Sequence, residues 1–205
     1  MKNNGRTGAL PVIAYEDQIL ETVKGSAVTI ITAETGAGKS TQVPQFLANA
    51  GYKVIVTQPR RLAARTLAQR VAQEMGTRLG DRVGFQTAEE RSDSAATEVL
   101  FVTDGLQLVR ELAGQGGTGR KTVLVLDEVH EWNLNIEVLI AWAKSRLAAG
   151  DDLKVVVMSA TLDADRLAFY YSGAPVISVP GRLFPVEKKS APAHALVAEA
   201  VSFAK

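Results

Sequence analysis

The chain reads as an α/β protein built on a mostly parallel, doubly wound sheet with helices on both faces, and two observations predict that fold. Short apolar, β-rich runs recur at residues 28–32, 53–57, 99–103, 123–126, 155–158 and 176–179, with longer stretches of helical periodicity between most of them. Runs such as Val123-Leu124-Val125-Leu126 and Val155-Val156-Val157-Met158 do not alternate apolar with polar residues. Both faces of such strands must be buried, which is the condition of a parallel sheet covered on two sides.

The elements follow in order. The first strand, 28–32, runs into a glycine-rich octapeptide, and helical sequence begins at Thr41. After the second strand, residues 62–75 place Leu62, Thr66, Leu67, Val71 and Met75 on one side and Arg61, Arg65, Arg70 and Glu74 elsewhere. That pattern predicts a sheet-covering helix with a basic outer surface. Residues 89–94 (EERSDS) read as a charged, solvated loop, and residues 114–119 (GQGGTG) as a flexible surface connection, because no apolar strand precedes them and no Gly-Lys-Ser follows. Residues 180–192 carry three prolines and several charges, as a linker does. Beyond it, 194–205 form one amphipathic stretch with Leu196, Val197, Ala200 and Val201 on its apolar side. A single helix cannot bury itself, so the expected division is a domain at 1–186 and, at 187–205, a linker and first helix leading toward a second domain.

Composition narrows the chemistry. The 205 residues are 46% hydrophobic, enough for a packed core. Lysine and arginine number 23 against 22 acidic residues, a net charge of +1, so binding of nucleic acid by bulk charge is excluded and any polyanion site must be local. The absence of cysteine excludes thiol nucleophiles and thiolate metal sites, and His130 and His194 are too few for an imidazole cage, which leaves a hard, oxygen-ligated metal. No apolar run approaches ~18 residues and the N-terminus has no signal-peptide stretch, so the expectation is a cytoplasmic protein with no membrane contact.

The strongest chemistry lies in Ala33-Glu34-Thr35-Gly36-Ala37-Gly38-Lys39-Ser40. Glycines let backbone N–H groups converge on phosphate oxygens, and the following helix turns its positive dipole end toward them. Lys39 reaches the terminal phosphates and the Ser40 hydroxyl ligates magnesium, the arrangement of a Walker A loop. Ala33 stands where the usual string has glycine, which is tolerable if the backbone there does not need φ > 0. Such a loop needs a carboxylate to hold magnesium, and Asp127 follows the apolar strand 123–126. Asp127 would sit in the outer magnesium shell, and Glu128 would polarise the attacking water as general base. His130 is either a packed or exposed histidine or a link from the nucleotide site to an opposing domain.

At this point the residues resemble a known family. AETGAGKSTQVPQF, TQPRRLAA, VTDG, LDEVHE and MSATLDADRL occur in the order of motifs I, Ia, Ib, II and III of the DEAH/DExH-box superfamily 2 helicases, over about Leu10 to Glu187. The closing stretch DDLKVVVMSATLDADRL…APVISVPGRLFPVE resembles the bacterial branch. The resemblance implies a RecA-like P-loop NTPase domain that binds Mg²⁺ and ATP through Glu34, Thr35, Gly36, Ala37, Gly38, Lys39, Ser40 and Thr41, with Arg70 stacked on the adenine. Lys39, Asp127, Glu128 and His130 would be catalytic, and Ser40, Asp127 and Glu128 would form the metal set. Thr57, Gln58, Pro59, Arg60 and Arg61, with Thr103, Asp104 and Gly105, would grip the backbone of single-stranded RNA or DNA, RNA being preferred. Pro59 suits a first helical position, so that helix-end amides and Arg60 could meet phosphates together. The bland alternatives are exposed charges at Arg60 and Arg61 and an ordinary helix cap at residues 103–105. Ser159, Ala160 and Thr161 would couple hydrolysis to movement, a hydroxyl of Ser159 or Thr161 bonding the 127–130 segment.

Departures from the family pattern matter. Val129 replaces alanine, Trp132 replaces arginine, and Thr87-Ala88-Glu89 lacks an arginine common in that region. No arginine-finger motif appears, so efficient hydrolysis and unwinding would need a second RecA-like domain. A P-loop small-molecule kinase and an ATP-dependent switch protein are the competing readings.

Overall fold

The computed structural model describes residues 10–119, 121–160 and 164–181. The linker and helix expected at 187–205, and Thr161, lie outside the described residues. A 3-10 turn, Pro11–Tyr15, leads into α1 (Glu16–Gly25), β1 (Val28–Ala33), α2 (Lys39–Asn49), β2 (Lys53–Gln58) and α3 (Arg61–Glu74). Then come β3 (Val83–Gln86), β4 (Arg91–Ser92), β5 (Val99–Thr103), α4 (Asp104–Leu112), β6 (Thr122–Leu126), α5 (Leu134–Ala148), β7 (Lys154–Ser159), α6 (Ala164–Tyr170) and β8 (Val176–Val179).

The eight strands form one sheet in the order β4-β3-β5-β2-β6-β7-β1-β8, parallel except for the β3–β4 pair. From β1 to β4 the chain steps toward one edge, and from β5 to β8 it steps back toward the other. Right-handed crossovers therefore put α2 and α3 on one face and α4, α5 and α6 on the opposite face. Two buried clusters record this division. Val43, Leu47, Ala64, Ala68 and Val71 pack with one set of strand residues, while Ile136, Leu139, Ala143 and Leu167 pack with the other. The inner strands β1 and β6 are buried at every position, as their unbroken apolar runs require. At the edge, β8 alternates exposed and buried residues. Among the described residues, no helix is long and apolar enough to cross a membrane.

Four local expectations need correction. Residues 89–94 are not all loop, because Arg91 and Ser92 pair antiparallel with Gln86 and Phe85. Gly84 makes that approach possible, since a Cβ there would lie 2.6 Å from the Ser92 carbonyl oxygen. The glycine segment 114–119 is tied down rather than free: Gln107 Nε2 donates to the Gly116 carbonyl at 2.9 Å, and the Thr118 hydroxyl donates to Glu111 Oε2 at 2.9 Å. Helix α3 turns Ala64, Ala68, Val71 and Ala72 to the sheet, with Leu67 and Met75 packed against the core. It leaves Leu62 72% exposed and Thr66 at the surface, so alanines take the place of Leu62 and Thr66 on the predicted face. The alanines present a flat surface that lies close on the strands, which the larger residues would hold off. Finally, Pro59 is not a first helical residue, because α3 begins at Arg61 with Arg60 as its N-cap.

Candidate nucleotide and nucleic-acid site

Parallel register brings the carboxyl ends of β2, β6, β7 and β1 side by side, with Thr57 opposite Leu126, Leu126 opposite Val157, and Thr32 opposite Ser159. Every segment singled out in the sequence, 33–41, 57–61, 103–105, 127–130 and 159–160, therefore emerges along one edge. This is the crevice where open α/β sheets bind ligands.

The loop after β1 has the backbone of an anion cradle. Gly36 and Gly38 have φ of +85° and +91°, which L side chains rarely adopt. Ala33 closes β1 as a buried strand residue, and positive φ occurs among non-glycine residues only at Lys121, Glu128 and Ser172 of those described, so its methyl is no obstacle. No side chain caps α2, whose N-cap is Gly38, so its leading amides remain open to an anion. Glu34, Thr35 and Gly36 are exposed, and Ala37 is buried. The Thr41 hydroxyl lies 3.3 Å from the Gly38 carbonyl that it donates to. Two buttresses escaped the sequence reading. Val12 N–H donates to the Ala37 carbonyl at 3.2 Å, and the Leu10 side chain packs where a Gly38 Cβ would stand. Nothing in the spacing of these residues announces the contact, because a separate turn carries them.

Across β7 from this loop stands the carboxylate pair. Lys39, 4% exposed, places Nζ 3.3 Å from Glu128 Oε1. Asp127 is 2% exposed; its Oδ2 accepts from Gln58 Nε2 at 2.6 Å and its Oδ1 from the Glu128 N–H at 2.9 Å. Burial pushes the Asp127 carboxyl above the usual carboxylate range and the Glu128 charge adds to this, against Lys39, the Ser40 hydroxyl and Gln58, which favour ionisation. A divalent cation beside it would reverse that direction. The donor set at this point, the Asp127 carboxylate and the Ser40 hydroxyl, is all oxygen and suits magnesium, which retains several waters and takes few protein ligands. No cluster of three or more His, Cys, Asp or Glu side chains able to hold a metal occurs among the described residues.

Glu128 has φ +55°, a strained conformation for a side-chain-bearing residue, and it aims one oxygen at Lys39 and the other at His130 Nε2, 3.2 Å away. His130 Nδ1 accepts from the Ala160 N–H at 3.2 Å. With Nδ1 on the Ala160 amide, Nε2 is the ring nitrogen that faces Glu128. Val129 N–H donates to the Met158 carbonyl at 3.1 Å, and the Val129 side chain is 1% exposed in the core, which accounts for an extra pair of methyls there. Backbone groups of Met158 and Ala160 thus join β7 to the 127–130 segment. Ser159 is buried at the end of that strand.

The residues expected to grip a strand divide. Thr57 and Gln58 point inward, 0% and 1% exposed, with the Thr57 hydroxyl toward the Val125 carbonyl and the Gln58 amide on Asp127. Alternation along β2 turns the Gln58 side chain into the carboxylate site, where it bonds Asp127. Pro59 is half-buried, whereas Arg60 and Arg61 are exposed. Arg60 forks onto both Glu131 oxygens at 3.2 and 3.1 Å, and Arg61 pairs with Glu89. Thr103 is the N-cap of α4 and makes no side-chain cap bond. Asp104 is 6% exposed and turned inward, accepting from Asn133 Nδ2 at 2.8 Å and from the Gly105 N–H at 2.6 Å. It joins the start of α4 to the cap of α5 and positions Gly105. Arg70 Nε donates to Glu74 at 2.7 Å. Trp132 is half-exposed.

Residues 14–168 match the family model described as DEAD/DEAH box helicase. The chain belongs to that family. It is 43% identical over 179 residues to the probable ATP-dependent RNA helicase DHX34 of Homo sapiens, and equally to that of Mus musculus; the match covers 87% of this chain and 16% of each relative. The mostly parallel eight-stranded sheet is that of a RecA-like helicase domain, and membership implies use of a nucleotide.

Proposed function

We propose that this chain is the N-terminal ATP-binding domain of an ATP-dependent RNA helicase. The observation that carries the reading is the convergence of Lys39, Glu128, Asp127 and Ser40 on one glycine cradle at the carboxyl edge of the sheet. ATP is the substrate. Magnesium, when bound, would neutralise phosphate charge and orient the terminal phosphoryl group. The chain's own residues do the rest. The amides of Gly36, Gly38, Lys39 and Ser40 donate to phosphate oxygens, while the Ala37 amide holds the loop through the Glu34 carbonyl, and Lys39 exchanges its Glu128 partner for phosphate. Glu128, released but still held by His130, takes a proton from the attacking water. Arg60, Arg61, Thr103 and the Gly105 amide face a single-stranded backbone, which carries little base information, so sequence preference is low.

A second RecA-like domain supplying arginine fingers is part of the proposal, as is a cytoplasmic location. The names of the mammalian relatives favour RNA over DNA, and the 16% coverage makes the activity of the longer protein an extension of this reading. The test is magnesium-dependent ATP hydrolysis by the chain carrying its second domain, with and without single-stranded RNA, using Lys39→Ala as the blank. Stimulation by RNA that vanishes with Lys39→Ala supports the helicase reading. Equal rates with and without RNA would refute it and bring a kinase or switch protein forward.

A further inference from the structure

Arginines are useful to a nucleic-acid surface only when their guanidinium forks can reach phosphate, yet here carboxylates already occupy them. Arg61 and Arg65 lie one turn apart on the outer edge of α3, 60% and 50% exposed. Arg61 pairs with Glu89, and Arg65 Nη1 lies 3.2 Å from Glu90 Oε2. Both partners sit on the turn between β3 and β4, a different element that reaches across to the helix. That turn is ordered from within. Thr87 N–H donates to the Glu90 carbonyl at 2.8 Å, and the Thr87 hydroxyl oxygen accepts from the Glu90 and Glu89 amides at 3.1 and 3.4 Å. Adjacent glutamates are thereby presented together to arginines spaced i, i+4.

We propose that Glu89 and Glu90 compete with RNA phosphates for Arg61 and Arg65, so that the β3–β4 turn sets how tightly, and with what salt dependence, this domain holds a strand. The inference rests on the RNA-binding reading above and extends its interface along α3 to Arg65. Carboxylate and phosphate are interchangeable acceptors for a guanidinium fork. A chain with a net charge of only +1 has no bulk basicity to override such local masking.

The test is fluorescence anisotropy of a labelled oligouridylate across a salt series, with the parent chain, Glu89→Gln/Glu90→Gln, Arg61→Ala/Arg65→Ala and the variant combining all four changes. Asp17→Asn/Glu21→Gln on α1, both exposed positions, controls for the same change in net charge. Freeing two exposed ion pairs should tighten binding roughly two- to thirty-fold at low salt. The salt slope should steepen by up to about 1.4. The combined variant should lose this gain and the α1 control should show none. If the arginine variant weakens binding while the glutamine variant keeps the parent affinity and slope, masking is refuted and the RNA-binding reading stands. A gain that survives loss of the arginines, or that the control matches, refutes it equally. If neither the parent nor the glutamine variant binds RNA at any salt, the underlying reading fails and takes this inference with it.

Discussion

Replacing Gln58 with leucine separates the inward role of this side chain from the strand-gripping role that its motif suggests. The substitution removes one donor from Asp127 and keeps a side chain of similar bulk. Gln58 is 1% exposed and its Nε2 lies 2.6 Å from a carboxylate that is itself 2% exposed, so the lost bond is short, buried and charge-assisted. Hydrogen bonds to charged groups contribute about 1.5–3 kcal/mol. Asp127 keeps the Glu128 N–H at 2.9 Å and the Ser40 hydroxyl, which places the loss near the lower end, about 1.5–2 kcal/mol. At roughly 2.1 cal/mol/K of unfolding entropy per residue over 205 residues, Tm should fall by about 3–5 °C. The same change in an Asp127→Asn background should cost less than about 1 kcal/mol, because no buried charge is left short of a donor. Thermal melts of the four proteins at neutral pH, with RNA anisotropy alongside, check this. A Gln58→Leu protein that melts with the parent but binds RNA more weakly would refute the inward assignment.

Glu128→Gln should retain nucleotide affinity, measured with a fluorescent ATP analogue, while turnover in the two-domain protein falls by ~10²–10⁴, the usual contribution of a general base. Glu111 is pushed above the usual carboxylate range by burial, which outweighs the bonds from Thr118 and Gln107. A carboxyl raised on folding contributes stability below its unfolded pKa and loses it as pH rises through the folded value. Glu111→Gln should therefore melt progressively higher than the parent as pH is raised from the acid range to neutrality, and a constant difference would contradict this. Glu74 moves in the opposite direction. Burial raises it, but hydrogen bonds from Gln45, Arg70 and Gln42 together hold it below its usual value while tying α2 to α3. Its stabilisation is present above the unfolded pKa and lost as pH falls through the folded one. Glu74→Ala should thus destabilise at neutral pH, with a penalty in chemical denaturation that shrinks on acidification.

Much of the fold and site was legible in one dimension because the signals are local. The unbroken apolar runs at 123–126 and 155–158 require burial on both faces, and β6 and β7 are the buried interior strands they predict. The glycine spacing of 33–40 demands positive φ at Gly36 and Gly38 whatever surrounds them, and the Asp-Glu step after an apolar strand places carboxylates at a sheet edge. The pairs β3 and β4 were missed because Gly84 and Gln86 interrupt one short run and charges fill the other. Their pairing is made by backbone contacts that a hydropathy pattern does not encode.

Sequence alone thus determined the α/β class, the phosphate loop and the acidic pair, each set by residues within a few positions of one another. Only the tertiary structure decided that Gln58 bonds Asp127, that His130 stands between Glu128 and Ala160, and that Glu89 and Glu90 occupy Arg61 and Arg65. Each of those facts joins residues from different elements. Such partners become neighbours only when sheet register and crossover handedness bring their loops to the same edge.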